Sequence, residues 1–585
     1  MAVPSPFAER PGSDADDARW WRAAVVYQVY VRSFADSNGD GIGDLPGITE
    51  RLDAIAELGV DAIWLTPFYI SPQNDGGYDV ADYRAVDPVF GTLADAEALI
   101  ARAHNVGLKV MVDIVPNHTS SMHRWFAEAR AGGVEDDAWG RYHCLPGTGP
   151  DRTAPPNDWM SVFGGDAWSP VLDHDGNPSG YWYLHLFDTS QPDLNWNHPD
   201  VHREMADTLR FWFDRGVDGF RIDVAHGLVK APGYPSLASV GATAEDGAVE
   251  LFGEVEVAPY WDQPGVHDIF RAWRAIADSY DPPKAFCGEV WVSTPERQAA
   301  YVRGDELNTV FNFDFLKAPW HAPGIRAIVD HSLHANGLVG APTTWVLSNH
   351  DVTRHASRYA QDPGLALLRA RAMTAFMLAL PGSAYLYQGE ELGLPEVFDI
   401  AEDMRADPIF FRTAGEQLGR DGCRVPLPWE AAAPSYGFGP GYLSWLPQPA
   451  AWADYARDHQ ATDDPAVPAP NTTLALYRRL LALRAAHPAL GLGGFVLIDG
   501  ALDWVELGDD VVAYDRADPR DGAVVRVVLN TGSQPVAVPG TWRLLATSGG
   551  SDRVVTAAVA ATTADTLTGP VIPADCCVWL ESVSI

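Results

Sequence analysis

The sequence predicts an α/β fold: a (β/α)8 TIM barrel with a subdomain inserted after strand 3 and a C-terminal antiparallel β-sandwich. Three observations carry this. First, eight short apolar runs alternate with segments of helical periodicity, the pattern of parallel strands joined by crossover helices. Second, the stretch 117–190, rich in Gly, Pro, Trp and Asp, separates the third run from the next helix. A structureless loop of that length is uncommon, so it reads as a subdomain over the barrel mouth. Third, beyond residue 495 the helical period stops, and short β-branched runs separated by Gly, Pro and Asp turns take over.

The elements follow in order. Residues 1–18 are rich in Pro, Asp and Ala and read as disordered. Strand one is 25–34, a helix spans 48–58, and strand two runs from 61 to 68. A helix at 93–104 leads to strand three at 108–115. After the insertion come a helix at 199–215, strand four at 218–223, a helix at 265–279 and strand five at 285–290. Strands six, seven and eight are 309–313, 344–348 and 383–387, and an irregular region, 392–445, follows. The barrel is therefore assigned to 19–116 and 191–495, the inserted subdomain to 117–190, and the sandwich to 496–585.

The chain has 585 residues, enough for a large barrel and smaller modules. Its formal net charge of -37 disfavours partners that are themselves polyanions, both nucleic acid and anionic membrane surfaces. No run is long enough to span a bilayer, and the N-terminus carries no apolar signal core. Five cysteines with no metal spacing, Cys144, Cys287, Cys423, Cys576 and Cys577, read as free thiols in a reducing compartment. A cytoplasmic monomer or homodimer acting on a small neutral ligand is expected. The many Trp, Tyr and Phe residues suit the apolar faces of sugar rings, although most must serve the core.

Polar groups recur where predicted strands end: Tyr78 and Asp79 after strand two, Asn117 and His118 after strand three, Arg221 and Asp223 on strand four, Glu289 and Trp291 at strand five, and Asn349, His350 and Asp351 after strand seven. The carboxyl ends of barrel strands are where such folds place their chemistry. An Arg–Asp pair on strand four could by itself be a core ion pair. Several polar ends together, with the three carboxylates Asp223, Glu289 and Asp351 and two histidines, point to a site.

The ordered segments DIVPNH, GFRID, GEVW and SNHD resemble those of the α-amylase family, glycoside hydrolase family 13, from about Trp20 to the C-terminal sandwich. Gln191-Pro-Asp-Leu-Asn195 and Gly419-Arg-Asp-Gly-Cys-Arg424 are similar to motifs of its oligo-1,6-glucosidase and α-glucosidase branch. The resemblance implies a retaining exo-acting α-glucosidase, with Asp223 as nucleophile, Glu289 as acid/base and Asp351 as the third carboxylate. Two carboxyl groups about 5–5.5 Å apart are what retention requires. Arg221 beside Asp223 is expected to keep that carboxylate ionised, and Trp291 and Phe286 to give Glu289 less polar surroundings.

The resemblance further implies that His118 and His350 bind hydroxyls, that Asp79 and Arg424 close the pocket as a salt-bridged pair, and that Tyr78 or Tyr83 stacks on the sugar. Asp113 is expected to support the site from behind. Val224, after the nucleophile, points to α-1,6 linkages, whereas the following AHGLVK resembles enzymes of maltose and short malto-oligosaccharides, so α-1,4 is favoured, with some transglucosylation. Oligo-1,6-glucosidase, sucrose hydrolase or isomerase, and trehalose synthase are the alternatives within the family. A non-catalytic binding partner is the alternative outside enzymes, against which stands the presence of all three carboxylates.

Asp36, Asn38, Asp40, Ile42 and Asp44 place oxygen donors on alternate residues around glycines, which is chemistry for Ca²⁺. It is not an EF-hand, because its twelfth position is Gly47. The resemblance implies a structural Ca²⁺, or Mg²⁺ in its place, bound by the four side chains and the Ile42 carbonyl. The other reading is an acidic turn capped by its own side chains.

Overall fold

In the computed structural model, residues 19–240, 258–491, 502–518, 520–550, 553, 556–563 and 566–583 are described. The segment expected to be disordered, 1–18, and the assigned boundary at 495/496 lie outside them.

Eight parallel strands form one sheet: β1 (Val25–Val29), β2 (Ala62–Leu65), β3 (Lys109–Ile114), β4 (Gly219–Ile222), β5 (Ala285–Gly288), β6 (Thr309–Val310), β7 (Thr344–Val346) and β8 (Ser383–Tyr387). Their order is β6-β5-β4-β3-β2-β1-β8-β7. A parallel bridge between Phe311 and Thr344 joins the two ends and closes the barrel. The strands are apolar on both faces because both are covered. Val26, Ala62, Trp64, Met111, Cys287 and Tyr385 fill the interior. Their neighbours, such as Val25, Ile63, Val110, Val112, Phe220 and Phe286, face the helices. Period-2 alternation does this sorting.

The helices that cover the sheet include Leu45–Ala56, Leu93–Asn105, Pro199–Phe213, Val266–Ala277, Ala322–Leu338 and Pro363–Ala379. Several begin at a capping side chain. Asp44 accepts from Gly47 N, and Thr92 and Asp95 form a capping box. The observed ends lie a few residues from those expected. Strands five to seven are shorter than expected, because the chain turns away as soon as the barrel rim is reached.

The insertion after β3 carries a three-stranded antiparallel sheet, Cys144–Pro146, Trp168–Leu172 and Pro178–Leu184. It rests on its own aromatic cluster with Trp159, Trp168, Phe163 and Phe187, which reaches Val224 and Trp261 at the barrel mouth. At the C-terminus an antiparallel β-sandwich follows. Its central strands include Val511–Ala517, Val524–Asn530, Thr541–Thr547 and Cys576–Ser582. Tyr514, Val527, Leu529 and Trp579 join the barrel core, while Ala513, Val528, Val578 and Leu580 face a second cluster. All five cysteines are free thiols. Among the described residues no helix is long and apolar enough to cross a membrane.

Candidate active site

Arg221 is the hub of the site. It lies on β4 in register with Asp113 on β3, so both side chains enter the barrel. Asp223 is two residues further and faces the same way. Gly219 allows β4 and β5 to approach, since a Cβ there would lie 2.6 Å from the Ala285 carbonyl oxygen. Arg221 Nη1 donates to Asp113 Oδ1 (2.9 Å) and to Asp223 Oδ1 (2.7 Å), and Nη2 donates to Glu289 Oε2 (2.6 Å). One guanidinium thus holds carboxylates that follow or belong to three adjacent strands. Carboxylates on the two arms of one fork are close neighbours. Among the described residues, Asp223 Oδ2 accepts no hydrogen bond.

Glu289 is held by two further donors. Val224 N donates to Oε2 (3.1 Å), and Trp291 Nε1 donates to Oε1 (2.9 Å). Val224 reaches its position with φ 44°, a left-handed conformation costly for a β-branched residue and characteristic of functional sites. Phe286, expected beside Glu289, faces outward among Phe213, Phe220 and Trp273 instead. Strand alternation decides this, since residues three apart on an extended chain point to opposite faces.

The electrostatics also differ from the expectation for Asp223. Burial, with Glu289, Asp113 and Asp351 nearby, pushes its carboxyl well above the usual range, and Arg221 opposes this. One cation shared among three carboxylates does not neutralise them all. Burial likewise raises Asp113 to about 6 against Arg221. Asp113 sits behind the site as expected, accepting from Tyr78 Oη (2.9 Å) and Trp64 Nε1 (3.1 Å). Asp351 is the contrast. Against the upward push of burial, His350, Arg420, Arg424 and Arg221 hold it well below the usual carboxylate range.

The expected Asp79–Arg424 pair is not formed. Asp79 is buried and spent on local bonds, accepting from Ser71 Oγ (2.9 Å), Asn74 N (2.9 Å) and Asp75 N (3.2 Å). Arg424 donates to the His350 carbonyl (2.8 Å) and to Asp351 Oδ1 (2.9 Å). The salt bridge at this wall joins Asp75 Oδ1 to Arg420 Nη2 (2.7 Å). Two consecutive left-handed glycines, Gly76 (φ 57°) and Gly77 (φ 102°), turn the chain between Asp75 and Tyr78. Arg420 is fixed by Asp407 and also reaches Asp351 Oδ1 (3.2 Å). Each motif carries two like charges four residues apart, and the salt bridge is made by Asp75 and Arg420 rather than by the expected Asp79 and Arg424.

Tyr78 stacks on His350 (5.1 Å, 10°), whereas Tyr83 donates to the Val115 and His118 carbonyls (both 2.8 Å), away from the cavity. His350 Nδ1 accepts from Gln28 (2.7 Å), which leaves Nε2 to donate to Asp351 (3.2 Å). His118 is held by Asn117, the Tyr78 carbonyl and Gln191, and Gln191 also donates to Asp75 (3.0 Å). Burial lowers the pKa of His118 to about 4 and that of His350 well below normal, so both rings are neutral near pH 7.

A single cavity is lined by Asp75, Tyr78, His118, Asp223, Glu289, His350, Asp351 and Arg420. Its remaining wall includes Val224, His226, Trp261, Trp291, Phe313 and Lys317. Asp79 and Arg424 do not line it, nor do the loop residues proposed for a metal.

In that loop, Asp36 accepts from Asn38, Gly39 and Gly41 N–H, Asn38 Oδ1 from Asp40 N, and Asp40 Oδ1 from Ile42 N. Asp44 caps a helix and accepts from Ser37. Among the described residues no three His, Cys, Asp or Glu side chains gather as a metal site would. The all-oxygen donor set fits a hard cation chemically.

A barrel with paired carboxylates at its strand ends, in a cavity lined by neutral histidines and aromatic rings, is the architecture of a glycoside hydrolase. The comparisons agree. The α-amylase catalytic-domain family matches residues 28–493. A probable α-glucosidase of Rhizobium meliloti is 40% identical over 491 residues, covering 83% of this chain and 86% of that protein. An oligo-1,6-glucosidase of Parageobacillus thermoglucosidasius is 34% identical over 514 residues, covering 82% and 86%. Among solved structures, the α-glucosyl transfer enzyme XgtA has a TM-score of 0.81 and 34% identity, covering 96% of this chain and 99% of that one. The chain belongs to the α-amylase family, glycoside hydrolase family 13.

Proposed function

We propose that the protein is a retaining, exo-acting α-glucosidase that releases glucose from the non-reducing end of short α-glucosides, with α-1,4 links favoured and some transglucosylation. The observation that carries this is the Asp223–Glu289 pair on one guanidinium, in a cavity walled by the Asp75–Arg420 bridge. Asp223 Oδ2, which accepts no hydrogen bond among the described residues, attacks the anomeric carbon. Glu289 gives its proton to the leaving oxygen, then takes one from the incoming water or sugar hydroxyl. Burial, with Glu289, Asp113 and Asp351 nearby, pushes the Asp223 carboxyl upward, and the Arg221 guanidinium opposes it. Asp351, held ionised, grips sugar hydroxyls as charge develops. His118 and His350 bind sugar hydroxyls once Nε2 turns from its present partner, the Tyr78 carbonyl in one and Asp351 in the other, and Tyr78 offers its ring. The Asp75–Arg420 bridge takes the wall-closing role first assigned to Asp79 and Arg424. The Asp75–Arg420 bridge at the cavity wall supports the exo reading.

Maltotetraose separates the readings. Glucose and maltotriose are the expected first products, and glucose appears first as its α-anomer by NMR. Maltose as the first product would overturn the exo reading, and β-glucose the retaining one. Isomaltose and sucrose in the same assay test the linkage preference.

Ca²⁺, with Mg²⁺ as the alternative, is proposed for Asp36, Asn38, Asp40, the Ile42 carbonyl and Asp44. Burial and the neighbouring Asp36 raise the Asp44 carboxyl, a crowding that a cation would relieve. The loop lies outside the cavity, so the ion would stabilise the fold. The melting temperature is expected to fall by several degrees in EDTA and recover with Ca²⁺, and equal melting with and without Ca²⁺ would end the proposal. The free thiols support the expected cytoplasmic location.

A further inference from the structure

Glu289 is surrounded by donors and has few places left for a proton. A carboxylate offers about four lone-pair sites, two on each oxygen. Arg221 Nη2 and Val224 N take both sites on Oε2. Trp291 Nε1 takes one on Oε1, at 2.9 Å. Among the described residues no other group donates to Glu289, so one site on Oε1 is left. An indole N–H is donor only and cannot receive the proton itself.

The indole is itself fixed. Its ring lies flat on Phe313, with centroids 3.5 Å apart and planes 2° from parallel. Lys317 Nζ lies 4.9 Å from its ring centroid. Trp291, Phe313 and Lys317 all line the cavity. Phe313 and Lys317 come from a short helix, Phe313–Leu316, and the residue after it, so an element beyond β6 braces the donor to a carboxylate beyond β5.

We propose that Trp291, braced by Phe313 and Lys317, is the positioning residue of the acid/base: it fixes Glu289 so that Oε1 is the oxygen that gives the proton to the glycosidic oxygen and then takes one from the incoming water or hydroxyl. This rests on the reading of Glu289 as acid/base. The titratable and charged groups around Glu289 are Arg221, Asp223 just after β4, His226, which bonds the Glu289 backbone and accepts from Trp291 N, and Lys317 beyond the indole, with Asp113 sharing Arg221 and Asp351 sharing the cavity.

The test is Trp291→Phe in the full chain, which keeps a ring for Phe313 and removes the N–H. Loss of a donor to the carboxylate favours its protonated form. The alkaline limb of the kcat/KM profile is expected to move to higher pH. The misdirected proton lowers kcat/KM on maltose by on the order of 10–100-fold. Because p-nitrophenolate leaves without protonation, kcat/KM on p-nitrophenyl α-glucoside, which reports the first step alone, should fall much less. Phe313→Leu, which keeps the N–H but frees the indole, should give a smaller version of the same split. An unshifted profile, or equal losses on both substrates, in a variant that melts like the wild type would overturn the inference. If Trp291→Phe fails to fold, Phe313→Leu decides by the same split. Glu289→Gln distinguishes the two levels. If it loses maltose turnover while Trp291→Phe behaves as wild type, the positioning role alone fails. If it retains maltose turnover, the acid/base reading and the inference fail together.

Discussion

Asp223→Asn should lower kcat on maltose and on p-nitrophenyl α-glucoside alike, by on the order of 10⁴-fold or more, as loss of a nucleophile does. Both substrates suffer because each must form the same bond to Oδ2. The fold should not suffer. Burial pushes the Asp223 carboxyl upward against Arg221, and the like charges of Glu289, Asp113 and Asp351 add to it. Replacing it with a neutral isostere removes that repulsion, so the variant is expected to melt at the wild-type temperature or above. A site that trades stability for function behaves this way. Glu289→Gln provides the complementary measurement. With p-nitrophenyl α-glucoside its first step proceeds but its second lacks a base, so a glucosyl adduct should accumulate and map by mass to the peptide holding Asp223. Retained turnover in Asp223→Asn, or an adduct on another peptide, would refute the nucleophile assignment.

Glu390→Gln should raise stability by a few kcal/mol at pH 8 and leave it unchanged near pH 4. Glu390 is 3% exposed, just beyond β8, accepting from Tyr387 N (3.0 Å) and Tyr477 Oη (3.3 Å). Burial raises its pKa to about 8, with those bonds and Arg354 opposing and Glu391 adding. A raised folded pKa means that the stabilising contribution is complete below the unfolded value near 4.5 and is lost as pH rises through 8. Each pH unit within that window changes stability by about 1.4 kcal/mol. Glutamine keeps an acceptor for Tyr387 N and stays neutral at every pH. The difference in melting temperature between variant and wild type, followed from pH 5 to 9, isolates this one group. A flat difference would show that Glu390 is ionised in the folded protein throughout.

The barrel was largely legible in the chain. β8 falls where its apolar run predicted, and the other strands lie within their predicted runs, because burial on both faces demands near-continuous apolar segments. The motif residues Asp223, Glu289, His118, His350 and Asp351 were legible for a related reason. A polar side chain at the end of such a run can only be at the rim, and the rim of a barrel is one place.

What the chain hid was direction. Asp75 and Asp79 flank the same glycine turn, and their composition is identical. Only the left-handed Gly76 and Gly77, with the amides that claim Asp79, send Asp75 to Arg420. Arg420 and Arg424 present the same ambiguity, settled by Asp407 on one and the His350 carbonyl on the other. Trp291 was visible as an apolar neighbour of Glu289. Its role as a donor depends on Phe313, which arrives from another strand end.

The sequence by itself determined the class of fold, the order of its strands and which carboxylates stand at their ends, since these follow from hydrophobic period and chain order. The tertiary structure alone decided which of two neighbouring charges faces the cavity, how one guanidinium is divided among Asp113, Asp223 and Glu289, and where a proton can sit. Those are set by partners distant in the chain, and no local pattern encodes the direction in which a loop side chain points.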